Sequence, residues 1–282
     1  MSDYAVEYVA EEHAPDPVHS PGDPTLPGKI GIWLFLASEI MFFVAILGSY
    51  VIYRSGSPAL FEKNAQTLDK VMASINTVVL IFSSLTMALA VDASQKGNPR
   101  KAARFLGITL LCAFGFLGIK FFEYKSKFEH FTFQYRDSES SVVVYDAHVH
   151  IHPATETTPA TWELTDAYKM NLPEAGRFDM NQVVATDIKA AGVPVDDGTK
   201  LDPSKVTNSL NYGPSRNIFF SSYFTLTGIH GLHVIGGIIP LFFLFMHSLR
   251  GKTFPRHTEY TGLYWHFVDL VWIFLFPLLY LI

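Results

Sequence analysis

IGIWLFLASEIMFFVAILGSYVIY, residues 30–53, is the stretch on which the fold turns. It runs for 24 residues with one charged side chain, Glu39. About 20 apolar residues suffice to cross the ~30 Å hydrocarbon layer of a bilayer. Lipid cannot satisfy backbone N–H and C=O groups, so a segment like this crosses as a helix. Strands of a membrane barrel would be near 10 residues and alternately polar, which this segment is not. Four further runs read the same way: 71–91, 105–122, 218–246 and 263–282. The expected fold class is an all-α integral membrane protein with five transmembrane helices. The fourth run is long enough to tilt or to project beyond the bilayer.

The composition fits that division. The 282 residues are 49% hydrophobic and 15% aromatic, yet 17% charged, so apolar and charged residues must be segregated along the chain. The formal charge of −5 is a residue of larger opposing parts. Residues 1–28 hold six acids and no Lys or Arg, and residues 134–211 hold twelve acids against six bases. The apolar remainder is net basic. A simple soluble enzyme and a basic nucleic-acid binder are both excluded. One Cys, Cys112, rules out an intrachain disulfide and a multi-cysteine zinc site.

The chain therefore divides into an acidic tail (1–28), three spans (29–133), a polar insert (134–211) and two spans (212–282). The tail lacks the apolar core and basic start of a signal peptide, so span one is expected to direct insertion. Lys96, Arg100, Lys101 and Arg104 lie between spans two and three, and Arg250, Lys252 and Arg256 between spans four and five. Lys and Arg accumulate on the cytoplasmic side, which puts the N-terminus inside and the insert and C-terminus outside. Arg54, Lys63 and Lys70 form a smaller opposing set.

In the insert, Ser141–Tyr145 reads as a strand, with three consecutive valines between polar residues. Leu164–Met170 and Met180–Ala190 read as short helices, the second capped by Asp179, and 191–211 as turns. Asp146, His148, His150 and His152 alternate, so a strand would place them on one face. Such a face would suit Zn or Cu. The plainer reading is a solvent-facing strand, because no Cys or second His cluster closes a site. A polar segment this long in a membrane subunit is expected to dock another protein.

Ionisable groups inside spans are costly and mark candidate sites. Glu39 has no basic residue within a helical turn, so it needs a partner from another helix or must stay protonated. Lys120 and Glu123 are spaced to pair on one helix face. His230 and His233 have the same spacing among glycines, which suits close helix packing better than metal ligation. His266 and Asp269 repeat it, as a mutually satisfied pair. Tyr264 and Trp265 are expected at the membrane interface. Arg250, Lys252, Arg256 and His257 form a basic cluster suited to lipid phosphate.

Taken together these segments resemble a known family. Ser38-Glu39-x-Met41-Phe42-Phe43, Ile75-Asn76-Thr77-Val78-Val79-Leu80, Glu123-Tyr124, Tyr223-Phe224-x-x-Thr227-Gly228-x-His230-Gly231-x-His233-Val234 and Tyr264-Trp265-His266-Phe267-Val268-Asp269-x-Val271-Trp272 look like subunit III of the haem–copper terminal oxidases. The resemblance implies a subunit III-type helix bundle that itself binds no haem or copper and has no catalytic residue. It implies partner subunits I and II, which carry haem and copper, in a bacterial inner membrane complex that reduces O₂ to water and pumps protons. It matches Glu39 to the family's buried, carbodiimide-reactive glutamate. Arg250, Arg256, His257 and Glu259 match a region that contacts structural phospholipid, and His230, His233 and His266 match positions that are not metal ligands.

Two departures stand out. Larger members have seven spans, and this chain begins where their third begins, as in bacterial types whose extra helices are fused to subunit I. The family also joins the Glu123-Tyr124 region to Asn211-Tyr212-Gly213 by a short loop, where this chain has some 78 residues. That insert is where an electron-donor complex or a cytochrome could dock. A quinol oxidase subunit, a nitric oxide reductase-like accessory subunit and, in a different class, a small-molecule transporter built on Glu39 are the competing functions. No internal repeat supports the last.

Overall fold

The computed structural model describes residues 26–136, 142–155, 159–171 and 188–281. Five long helices form the body: α1 (Leu26–Gly56), α3 (Lys70–Gln95), α4 (Pro99–Glu129), α6 (Ile218–Leu249) and α7 (Pro255–Phe276). The last continues as one π-helical stretch, Pro277–Leu281. All five expected spans are present, extended at their ends by polar turns. A short α2 (Pro58–Gln66) occupies the loop after α1.

Local sequence sets the helix ends. Asp69 caps α3 by accepting from the Met72 N–H at 2.9 Å, and Asn217 caps α6 by accepting from Phe220 at 3.1 Å. Asn98 accepts from the Lys101 N–H, with Pro99 at the first helical position, where its missing N–H costs nothing. Gly97 and Gly251 follow α3 and α6 in the left-handed region, φ +64° and +77°, which glycine adopts without steric cost.

Helix α3 packs against α4 and α7, and α6 against α4 and α7. Hydroxyls and indoles stitch these seams. Trp265 and Trp272 of α7 donate to Ser83 (3.1 Å) and Thr77 (3.0 Å) of α3, and Thr86 of α3 meets Thr109 of α4 at 2.8 Å. Both tryptophans are fully buried, so Trp265 is a core residue and not the interface anchor its place near the span end suggested. Sequence position along a helix does not say which face a ring takes. Helix α1 is attached mainly through α6 and α7, and its Trp33, Leu34, Met41 and Val44 are exposed.

The insert is a sheet. Strands β1 (His130–Arg136), β2 (Val142–His152), β3 (Thr161–Asn171), β4 (Val193–Val195), β5 (Thr199–Leu201) and β6 (Val206–Asn211) assemble antiparallel, in the order β4-β3-β2-β1-β6 with β5 also on β3. A single helical turn, α5 (Ile188–Ala191), precedes β4. The expected strand is β2, but it runs to His152. The helix expected over 164–170 is strand β3: Leu164 and Ala167 pack into the sheet core while Thr165 and Asp166 face away, a pattern too short to separate from a helical one by spacing. The stretch 191–211, expected as turns, holds β4, β5 and β6, with the Pro and Gly dipeptides as their punctuation. Asp179 and most of 180–190 lie outside the described residues. The sheet starts at His130, directly on the end of α4, four residues before the expected boundary. Its core gathers Phe133, Tyr145, Ala147, Val149 and Leu164 under Trp162.

Gly237 of α6 lies where an added Cβ would come within 3.0 Å of the Trp265 ring and 3.1 Å of Tyr264. Gly237→Val is expected to push α6 from α7 and to cost about 1–3 kcal/mol, the usual range for overpacking. A lowered thermal midpoint in detergent checks this, and Gly31→Val, with open space around its Cβ position, is the control.

Candidate functional site

The most enclosed polar arrangement is built on Lys120 and Glu123 of α4, which are 7% and 3% exposed. Their spacing puts both on the buried face, and Lys120 Nζ donates to Glu123 Oε2 at 2.8 Å. The other carboxylate oxygen accepts from the Tyr223 hydroxyl of α6 (2.6 Å) and the Tyr280 hydroxyl of the C-terminal stretch (2.7 Å). Lys120 also donates to the Tyr280 oxygen at 2.8 Å and stands 5.0–5.5 Å from the ring centres of Tyr124, Tyr223, Trp272 and Tyr280. Two charges leaving water lose several kcal/mol each. Here that loss is offset by a charge-assisted bond, two hydroxyl donors and four aromatic faces. Sequence spacing identified the ion pair but not its cage, since Tyr223 and Tyr280 lie 100 and more residues away.

Glu39 finds the partner its own helix lacks. His233 of α6 places Nε2 3.0 Å from Glu39 Oε2, while its Nδ1 donates to the Ile229 carbonyl at 2.9 Å. With Nδ1 committed as a donor, the Nε2–carboxyl contact needs one proton. It sits either on the imidazole, giving an ion pair, or on Glu39. The pair therefore holds a proton between α1 and α6 in both cases. Both side chains remain partly exposed, at 18% and 23%, on the outer surface of the bundle.

His230 does not share this role. It is fully buried beside Phe116 and Trp272, so the two histidines three residues apart serve different surroundings. The expected His266–Asp269 pair does not form. His266 Nδ1 bonds the Ser84 hydroxyl at 2.7 Å, and both Asp269 oxygens, like both polar atoms of Asn76 and both ring nitrogens of His230, have no hydrogen-bond partner among the described residues. The i, i+3 spacing made contact possible, but His266 turns toward α3 instead.

At the junction of bundle and sheet, alternation puts Asp146, His148, His150 and His152 on one face of β2 as expected, but they are not brought together as ligands. Asp146 is buried and accepts from Thr132 (2.8 Å) and from the Tyr212 hydroxyl (3.2 Å), with His130 Nε2 3.3 Å away. Burial pushes its carboxyl up, but the bonds from His130 and Thr132 and the charge of Arg216 outweigh that, leaving it below the usual carboxylate range. His148 stacks near His130, ring centres 4.4 Å apart, and burial with the neighbouring imidazole lowers it to about 4. His152 pairs with Glu163 at 3.0 Å, and His150 is exposed. No group of three or more His, Cys, Asp or Glu that could hold a metal occurs among the described residues. Lys127 and Arg216, absent from the sequence reading, and Tyr212, named there only within the resumed family segment, complete this junction. The signal for Lys127 was its spacing, four after Glu123 and seven after Lys120 on the same face.

At the opposite end, His257 borders a mostly apolar cavity of about 580 Å³ with Pro240, Phe243, His247, Phe254 and Tyr260. Arg256 donates to the Tyr260 hydroxyl (3.0 Å), and Glu259 lies 3.7 Å from Lys29 of α1. Arg250 and Lys252 flank the α6–α7 turn.

The cage makes a double-variant test. Lys120→Met leaves Glu123 buried without its cation and is expected to cost about 3–5 kcal/mol, whereas Lys120→Met with Glu123→Leu should recover most of it. Thermal midpoints in detergent decide this, and equal losses in the single and double variants would count against the ion pair as the controlling contact. His148 supplies a pH dependence. Its native value is depressed, so the unfolded chain takes up a proton that the folded sheet refuses as pH falls from about 6.5 toward 4. Sheet stability should fall through that window and be flat above it. His148→Gln should remove the fall, read as amide exchange of β2 at pH 7 and pH 5.

Comparison with known proteins agrees with this architecture. A family model described as cytochrome c oxidase subunit III matches residues 207–282, which hold α6 and α7 and their polar contacts. Over 275 residues the chain is 25% identical to the cytochrome bo(3) ubiquinol oxidase subunit 3 of Pseudomonas aeruginosa, covering 95% of this chain and 90% of that one. It is 24% identical over 267 residues to cytochrome c oxidase subunit 3 of Alkalihalophilus pseudofirmus, covering 93% and 91%. It is 25% identical over 268 residues to the subunit of the same name from Bacillus subtilis, with the same coverage. Over nearly its whole length the chain is thus similar to subunit 3 proteins of cytochrome c and ubiquinol oxidases, and over residues 207–282 to the cytochrome c oxidase subunit III family model.

Proposed function

We propose that the chain is the accessory subunit III of a proton-pumping cytochrome c oxidase, bearing no catalytic centre of its own and working beside subunits I and II. The observation that carries this is the pairing of Glu39 with His233. A carboxyl–imidazole pair that shares a proton lies on the outer surface of the bundle, mostly but not fully covered, at a position where an ordinary lipid-facing residue would be apolar. A neighbouring subunit that closes over α1 would bury that pair and make it part of a shared proton supply. The exposed apolar face of α1, from Trp33 to Val44, fits such a neighbour. Haem and copper reside in the partners. The names of similar proteins include both cytochrome c and ubiquinol oxidases; the cytochrome c reading rests on the greater number of relatives so named and on the net acidic insert.

In this reading the Lys- and Arg-bearing turns face the cytoplasm of a bacterial inner membrane, and the sheet stands outside. The basic end, with His257 on the apolar cavity and Arg250 and Arg256 close to it in sequence, takes a phospholipid: headgroup phosphate to the cations, chains to Phe243 and Phe254. Glu259 supports it indirectly by tethering Lys29. The insert, with twelve acids against six bases in sequence, docks an electron-donor complex or cytochrome, whose basic face that charge would steer.

Purification of the chain from its own membranes is the test. Copurified haem and O₂ consumption with reduced cytochrome c are expected. A preparation that oxidises only quinol would reassign the donor, and a colourless one would reject the oxidase reading. Deleting 137–205 keeps β1 and β6 paired and should leave haem content unchanged while weakening association with the donor. Unchanged association would remove the docking role.

A further inference from the structure

A cavity of about 580 Å³ separates the end of the bundle from the sheet, bounded by α2, the start of α3, the end of α4, β2 and α5. Lys127 and Arg216 line it, 8% and 9% exposed, and neither makes an ion pair among the described residues. Lys127 Nζ donates to the Thr67 carbonyl, which leaves two of its three N–H groups. Arg216 gives its terminal nitrogens to Thr132 Oγ1 (2.9 Å) and the Leu210 carbonyl (3.3 Å), and its Nε is buried without a partner. Both cations share one aromatic face: Tyr212 lies 3.6 Å from the guanidinium carbon and 5.9 Å from the ammonium.

Buried charge without a counterion is among the costliest features a protein can keep. None of the acids around the cavity reaches ion-pair distance of either cation. Glu123 is held by Lys120, and Asp166 by Lys189 at 2.9 Å. Lys127 and Arg216 share the cavity with Asp69 and Asp146, and no ion pair joins either cation to either acid among the described residues. Asp69 spends an oxygen on capping α3, and Asp146 already takes Thr132 and Tyr212. Neutral His148 adds no charge near pH 7. The rim toward the bilayer is apolar and small: Phe122, 64% exposed on α4, Met72, and exposed Ser126.

We propose that this cavity binds a phosphate-type oxoanion between Lys127 and Arg216, the phosphate being either that of a phospholipid headgroup, its chains lying along Phe122, or free phosphate from solution. Ammonium and guanidinium donors are the pair that oxoanions recruit. The site is distinct from the basic end near His257, at the other face of the membrane, and His130, Thr132, Asp146, His148 and Asp166 of the sheet form part of its wall.

Native mass spectrometry of the intact complex with which the chain purifies reads the lipid source directly. Lys127→Met, and Ser126→Asp, which adds a negative charge at an exposed rim position without removing a contact, should each retain one phospholipid fewer than the wild type. Lys127→Arg should retain it. The second arm titrates the delipidated complex with inorganic phosphate and reads the thermal midpoint. A phosphate-dependent rise that both variants lose, with lipid counts equal throughout, assigns the site to free phosphate. Equal lipid counts together with equal phosphate responses in wild type, Lys127→Met and Ser126→Asp overturn the proposal, and Ser126→Asp keeps that outcome readable should Lys127→Met fail to assemble.

Discussion

A lysine ammonium and a glutamate carboxylate enclosed among apolar helices impose a demand that the surrounding structure must meet. Lys120 and Glu123 sit on α4, but the groups that make their burial tolerable come from α6 and from the residues after α7. The Tyr280 hydroxyl, two residues from the chain end, bonds both members of the pair. The C-terminal stretch must therefore wind back onto α4, and α6 must approach closely enough for Tyr223 to donate. Tyr50 of α1 adds a bond to the Leu278 carbonyl, so the same turn also fastens the first helix. In hydrocarbon, where apolar burial gives helices little reason to associate, such polar contacts and close packing carry the specificity.

The remaining seams follow the same economy. Along α3 and α7 a series of single hydroxyl–indole or hydroxyl–imidazole bonds sets the register, through Thr77, Ser83 and Ser84. Glu39 and His233 extend it to α1, which has few other ties. The contrast between His233, which reaches a carboxyl, and His230, which is packed between rings, shows how one helical turn changes a side chain's chemistry without changing its identity.

The membrane architecture was legible in hydropathy because lipid imposes length and composition on every span. Lys120 with Glu123 was legible because both partners lie on one helix. What needed a second helix was not: His266 could meet Asp269 by spacing, yet Ser84 of α3 competes successfully, and Trp265 is turned inward by Ser83. In the insert, Val142–Tyr145 announced a strand through β-branched residues, whereas Leu164–Met170 offered too few positions to distinguish period two from period 3.6. Short strands β4, β5 and β6 owe their existence to pairing with β3 and β1, a non-local cause that no local propensity reports. Lys127 and Arg216 escaped notice for the same reason: one looks like a helix-end lysine and the other a loop arginine until Tyr212 brings them together.

Strands β1 and β6 lie side by side, with Phe131 opposite Asn211 and Phe133 opposite Ser209. The points where the inserted sequence departs and returns are thus hydrogen-bonded neighbours, as the two arms of a short hairpin would be. Everything between them hangs from the free edge of β1. Lengthening a loop whose ends are already joined is thermodynamically mild, of order 0.6 kcal/mol for each doubling. An ancestral hairpin could accept some 70 residues here, and lose or exchange them, while the contacts among the membrane helices stay as they are; the packing of β2 on the end of α4 would change. The membrane body and the sheet are in that sense separately heritable, and the sheet is the part of the molecule free to follow a changing partner.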